Sequence, residues 1–294
     1  MSELASIRND LLEAQVDSLG AQLMSLRRNG TEYLWQADER FWARRAPILF
    51  PIVGRLRNDH AISAAGEVRL KRHGLARLYE HRVVRQTESS VTYELASTEQ
   101  TRAAYPYDFR LNMTYALEGD RLVQTFAVTN AGEADLPFTL GAHPAFNVPV
   151  PGTGEGFSDY ELVFERPWTA RVPTIDADGL HDFSRTHEVL RDDDRLPLTH
   201  ELIERLLTLV FTEVPGNAVT LRGTRSGRGV ELGFDGFDYL GVWTASADSP
   251  FVALEPWCGC ATCYDESDVF EEKRGTVTLG PGGSYERSLF LRPF

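Results

Sequence analysis

Between residues 110 and 130 apolar and polar residues alternate in two runs joined by a Gly-Asp pair. Leu111, Met113, Tyr115 and Leu117 share one side of the first run; Leu122, Gln124, Phe126 and Val128 follow in the second. A period of two on either side of a two-residue turn predicts a β-hairpin. VTLRG, RSGRG and VELGF over 219–234 predict a second, and TVTLG, PGG and SYERSLFLR over 276–292 a third. Val91, Tyr93 and Leu95 begin the same alternation earlier. Helical signals are few. LTHELIERLL (198–207) places Leu202, Ile203, Leu206 and Leu207 on one face with Thr199 as the cap, and DERFWARR (38–45) suits one or two turns. The fold class is therefore all-β, a large antiparallel sandwich with one or two short helices.

VPVPGTGEGF (148–157) and VLRDDDRLP (189–197) read as long surface loops rather than linkers, and no repeat is evident, so residues 1–294 are expected to form a single domain. The formal net charge of −13 disfavours nucleic acid and anionic membranes as partners. The most apolar stretch, APILFPIVG (46–54), falls far short of the roughly 20 residues that span a bilayer. MSELASIRND at the start lacks the apolar centre of a signal peptide. Cys258, Cys260 and Cys263 lie within six positions and have no distant partner, which argues against a disulfide framework and for a reducing, cytoplasmic setting.

Three separated segments carry the chemistry: KRHGLAR (71–77), GAHPAF (141–146) and ALEPW (253–257). Pro144 pushes the backbone of His143 toward extended geometry, and Gly141 and Ala142 are expected to leave room in front of its ring. Glu255 interrupts an apolar strand, where desolvation raises a carboxyl pKa. Trp257, two residues on, would share its face. A carboxylate beside an indole suits a sugar, the acid meeting hydroxyls while the ring covers an apolar face. His73 reads more readily as a surface histidine in a basic turn than as a catalytic residue. Among Arg44, Arg45, Arg55 and Arg57, Arg55 together with Asn58 would donate to hydroxyls, and the arginine cluster would suit a phosphate. CGCATC (258–263) offers three thiols but lacks the paired spacing of a closed zinc site, and free thiols near a pocket are the simpler reading. No Walker A loop, dinucleotide fingerprint, HExxH or GxSxG is present.

In this order, APILFPIVGRLRN, HGLAR, GAHPAFN, YLGVW and FVALEPW resemble the aldose 1-epimerase (galactose mutarotase-like) family, closest to a branch whose natural sugar is largely unassigned. The matching segments run from about Gly20 to the C-terminus. The resemblance implies a β-supersandwich, no metal, no organic cofactor, and a monosaccharide whose α and β anomers are interconverted. It further implies His143 as the acid that protonates the ring oxygen and Glu255 as the base at the anomeric hydroxyl. His73 would bind near the ring oxygen and Arg55 would hold hydroxyls. Two departures stand out. Leu207 occupies the position where family members often carry an aspartate, with Glu201 and Glu204 as conceivable substitutes. The cysteines after Glu-Pro-Trp are also unusual, with Cys258 expected near the pocket. Two other readings follow from the same residues: a sugar-phosphate mutarotase, from the arginines, and a carbohydrate-binding protein without turnover, from Leu207. The sequence sets no oligomeric state.

Overall fold

Phe109–Glu118 and Arg121–Asn130 pair antiparallel, with Glu118 opposite Arg121. Gly119 and Asp120 thus form the two-residue turn, and Gly119 takes a φ of 60° that side-chain-bearing residues rarely adopt. The computed structural model describes residues 2–294. In it this hairpin sits inside a nine-stranded sheet ordered His181–Pro197, Tyr160–Ile175, Ala218–Gly223, Gly229–Gly233, Ser284–Pro293, Arg121–Asn130, Phe109–Glu118, Ser90–Ala96 and Arg82–Gln86. A six-stranded sheet contains Leu209–Thr212, Tyr239–Trp243, Phe251–Cys258, Leu140–Ala142 and Ile48–Leu49, with Ala145–Asn147 also paired to Phe251–Cys258. The N-terminal strands Leu4–Arg8, Leu12–Asp17, Gln22–Arg28 and Thr31–Glu32 make a third sheet.

The alternation seen in the sequence becomes alternating burial. Leu111, Met113, Tyr115 and Leu117 are buried, and so are Leu122, Phe126 and Val128. One apolar cluster, from Ala5 to Leu291, draws side chains from all three sheets. Burial of such surface is the main force that fixes the register of each strand. Tyr115 ties two sheets together: its hydroxyl donates to the Ala21 carbonyl and accepts from Gln124 Nε2 at 3.2 Å. The architecture is an all-β antiparallel sandwich with two short α-helices, Glu99–Arg102 and His200–Leu206. Thr199 caps the second, its hydroxyl accepting from Leu202 N at 3.1 Å.

Two sequence expectations need correction. Val277–Leu279 and Ser284–Pro293 do not form a hairpin, since the first pairs with Leu136–Phe138 and the second joins the large sheet. Buried Asn130 separates them: its side-chain amide donates to the Leu279 carbonyl, and its backbone bonds to Gly282 and Gly283. Residues 189–197 are not a loop but part of the edge strand His181–Pro197. Leu190 and Leu196 are buried, while the charged residues lie on a strand edge where they discourage pairing with another chain. Residues 38–45 make a single turn, in which Phe41 and Trp42 both donate to the Asp38 carbonyl. The Trp42 carbonyl is taken by the Trp35 indole N–H at 2.9 Å, and Pro47 requires an extended residue before it. No helix among the described residues is long and apolar enough to cross a membrane.

Tyr115→Phe leaves the Ala21 carbonyl buried without its donor. The expected loss is about 1–3 kcal/mol in the free energy of urea unfolding, against an unchanged value if the hydroxyl did not join the sheets.

Candidate active site

All eight residues of Phe251–Cys258 are buried. Tyr239–Trp243 flanks this strand on one edge, with Gly241 opposite Glu255. Leu140–Ala142 and Ala145–Asn147 flank the other. Glu255 and Trp257, two residues apart, line one cavity, as strand periodicity predicts. The indole is seated by two glycines. A Cβ on Gly141 would lie 2.7 Å from Trp257 Cδ1, and one on Gly241 would lie 2.4 Å from its Cζ2. Gly141 therefore makes room for Trp257, not for the His143 ring as the sequence suggested.

His143 and Pro144 occupy the gap between the two short strands, and the His143 N–H donates to the Pro47 carbonyl at 3.1 Å. The imidazole stacks on Trp42 with centroids 4.8 Å apart, and meets Trp243 and His73 edge-on at 5.5 Å each. Its Nε2 lies 3.3 Å from Glu255 Oε1. The two ionisable groups that stood 112 residues apart in sequence are thus in direct contact in the fold.

His73 is held by reciprocal bonds to Gly54: its N–H donates to the Gly54 carbonyl at 2.7 Å, and its Nδ1 accepts from Gly54 N–H at 3.2 Å. With Nδ1 accepting, the neutral ring carries its proton on Nε2. The chain doubles back here, with φ of 66° at His73 and 70° at Gly74. A Cβ on Gly74 would come within 2.3 Å of the Phe50 carbonyl oxygen, so close backbone approach requires glycine after His73.

Burial governs the charge state of the pair. Desolvation pushes Glu255 up to about 8, opposed by the Trp257 indole N–H, which is near the carboxyl but aligned with no acceptor, and by Arg72. Desolvation takes His143 down to about 3, helped by the positive charges of Arg77 and Arg72. His73 is held well below its usual range by desolvation, then by His143 and the arginines. At neutral pH the His143–Glu255 pair therefore keeps one proton, held on the carboxyl. The linkage signs oppose each other. The folded chain keeps the Glu255 proton up to about 8 while the unfolded one loses it near 4.5, so this group favours folding less as pH rises across that window. The unfolded chain protonates His143 near 6.5 and the folded one only near 3, so that contribution is lost as pH falls between those values.

The cavity holds about 300 Å³, room for a monosaccharide, and Arg55, His73, His143, Glu255 and Trp257 all line it. Asn58 does not; it is exposed in the turn Arg57–Asp59. Of the upstream arginines, Arg44 and Arg55 reach the cavity. Arg45 instead donates to the Met24 carbonyl, and Arg57 to Asp268. Arg72, Arg77 and His181 also line the cavity and were not singled out from the sequence. The arginines flank His73 in KRHGLAR, so that signal was available, whereas His181 arrives from a distant strand with no local mark. Its ring stacks on Trp257 at 6.4 Å, and desolvation lowers it to about 4.

A model of the aldose 1-epimerase family matches residues 3–291. The chain belongs to the aldose 1-epimerase family. It is 37% identical to the LacX proteins, plasmid and chromosomal, of Lactococcus lactis subsp. lactis, over 96% of each chain. A galactose mutarotase related enzyme from Lactobacillus acidophilus superposes with a TM-score of 0.92 at 29% identity, covering 100% of this chain and 97% of that one. A galactose mutarotase-like protein from Lactobacillus casei gives 0.90 at 29% identity, covering 99% and 100%.

Both departures from the family pattern prove to lie outside the cavity. Leu207 is 48% exposed at the end of His200–Leu206, Glu201 and Glu204 are exposed too, and Thr208 is the residue that lines the cavity from this segment. Cys258 is buried away from it, its Sγ accepting from Tyr285 at 3.4 Å. Cys260 and Cys263 are 3.9 Å apart, sulfur to sulfur. Among the described residues no three His, Cys, Asp or Glu side chains are grouped to hold a metal. The cysteine loop instead braces the wall, where Ala261 packs on Gly54.

The turn that carries His73 is open to test by denaturation. Gly152, at φ 83° with nothing near its missing Cβ, is the control, and Gly152→Ala is expected to cost about 1–2 kcal/mol, the strain of a left-handed alanine. Gly74→Ala is expected to cost clearly more, because it also drives a methyl into the Phe50 carbonyl; equal costs would contradict this packing.

Proposed function

We propose that this protein is an aldose 1-epimerase that interconverts the α and β anomers of an aldose, with His143 and Glu255 as its acid–base pair. The observation that carries the reading is the buried 3.3 Å contact between them in a cavity of monosaccharide size. Mutarotation needs one proton delivered to the ring oxygen and one removed from the anomeric hydroxyl, and it needs no nucleophile. A pair that holds one proton supplies both functions. In the forward sense His143 gives its proton to the ring oxygen while Glu255 takes that of the anomeric hydroxyl. The ring opens, the carbonyl end rotates, and closure on either face returns both protons.

The charge state favoured by burial, a neutral His143 and a protonated Glu255, is the one the pair holds while the sugar is open. At rest the proton sits on the carboxyl, so it passes to the imidazole before ring opening, and the direct contact gives the route. His73 Nε2–H would orient the ring oxygen, Trp257 would cover an apolar face of the sugar, and Arg55 would bind hydroxyls or a substituent. A binding protein without turnover was suggested by Leu207 alone, and that support lapses with Leu207 outside the cavity. Three free cysteines fit a reducing cytoplasm.

NMR exchange between anomers tests the reading. His143→Ala and Glu255→Gln are each expected to lower kcat/KM by about 100-fold or more, and unchanged exchange in either would remove that residue from the chemistry. The pH profile gives a second, separate check. Because the pair keeps one proton from about 3 to about 8, activity is expected to stay level through neutral pH and to fall as pH rises through about 8, when Glu255 is deprotonated with His143 neutral. A fall centred near 6.5 would instead mean an ordinary histidine acting as the acid.

A further inference from the structure

We propose that the substrate is an aldose phosphate, its anomeric carbon at the floor of the cavity and its phosphate held by arginines at the mouth. This rests on the acid–base reading above and adds the substrate class. Four guanidinium groups, from Arg44, Arg55, Arg72 and Arg77, line the one cavity. Glu255 is the only carboxylate lining it among the described residues, and burial keeps that group protonated. None of the four arginines has an acidic partner among the ion pairs of the described residues, whereas most arginines elsewhere do, Arg57, Arg69, Arg82, Arg102 and Arg222 among them. The cavity cations also act on each other, against a weaker pull of Glu255 and Asp59 on Arg72. Desolvation and then Arg55 lower Arg72, and desolvation and then Arg44 lower Arg77. The buried Arg77 Nε has no hydrogen-bond partner.

Such a cluster is costly in a protein that could have neutralised it, since the chain carries 43 acidic residues against 30 lysines and arginines. An arriving dianion relieves the repulsion and fills the donors. Donor chemistry points the same way. Guanidinium groups only donate, and a phosphate only accepts through its terminal oxygens, whereas every sugar hydroxyl also needs an acceptor. Beside Glu255, the side chains of this cavity offer the Thr208 hydroxyl and the His143 and His181 rings as acceptors, too few for a polyol bound by its hydroxyls alone.

The depth of each group sets the orientation. His143 and Glu255 are 6% and 2% exposed and form the floor. Arg55 and Arg72 are exposed at the mouth, and Arg44 and Arg77 are half-buried between. Arg55 and Arg72 meet at Gly179, where a Cβ would lie 3.3 Å from Arg72 Nη2 and 3.8 Å from Arg55 Cδ. A sugar reacting at the floor thus presents its far end to this arginine pair.

The test compares anomer exchange by NMR for glucose, galactose, their 6-phosphates and glucuronate, with dissociation constants from calorimetry. The expected result is a kcat/KM for a 6-phosphate about 10- to 100-fold above that of its parent sugar, reduced by high salt. Arg55→Gln/Arg72→Gln is expected to remove at least about tenfold of that preference, and Arg45→Gln, outside the cavity, to preserve it. Equal rates for phosphate and parent sugar, or a preference for glucuronate, would overturn the inference while leaving the epimerase reading intact. If no sugar is accelerated, the epimerase reading fails. The charge preference is then read from binding: tighter binding of the phosphate supports it and equal binding overturns it.

Discussion

A carboxyl group in the middle of a strand buried along its whole length must be either paired or protonated, and Glu255 in Phe251–Cys258 is both. The rest of the site follows from that constraint. The strand is gripped on both edges, so the carboxyl cannot swing out to water. The break between Leu140–Ala142 and Ala145–Asn147 puts His143 against it. Trp42 and Trp243 shut water away from the imidazole, and the two groups share a proton because neither carries its charge cheaply there. Glycines then decide what else fits: Gly141 and Gly241 seat Trp257, and Gly74 lets the His73 turn press against Phe50.

Around this dry, nearly neutral floor stands a ring of positive charge. An acidic protein that gathers four arginines in one cavity, leaving them without ion pairs among the described residues, has an electrostatic field there opposite in sign to its surface. Arg72 and Arg77 help hold His143 down, and with Arg44 they help hold His73 down, so they contribute to the charge state of the pair. An anion at the mouth would weaken that influence and make an imidazolium easier to form. For a charged substrate, proton transfer would in this way be coupled to substrate charge through Arg72 and Arg77.

Much of the arrangement was legible in the sequence wherever a local rule applied. Period-two alternation located the strands at 109–130, the i and i+2 rule placed Glu255 beside Trp257, and the His-Pro pair marked a rigid imidazole. The failures are long-range. Nothing local says that Val277–Leu279 leaves its neighbour for Leu136–Phe138, because a single buried Asn130 decides it. The run of charges at 189–197 looked like a loop because an edge strand needs only Leu190 and Leu196 inward. Asn58 was chosen for its chemistry and sits in an exposed turn, while Arg72, Arg77 and His181 acquire meaning only once three distant segments converge. Leu207, at a φ of 63°, lies outside the cavity, and Thr208 lines it instead.

The account stands on the single proton held by His143 and Glu255, and infrared difference spectroscopy of the carboxyl stretch at neutral pH tests it most directly. The structure requires the band of a protonated, buried carboxylic acid that is absent in Glu255→Gln and disappears as pH rises through about 8. An ionised Glu255 at neutral pH, with no acid band to lose, beside a neutral His143 would leave the pair without the proton that the chemistry needs and would contradict the account.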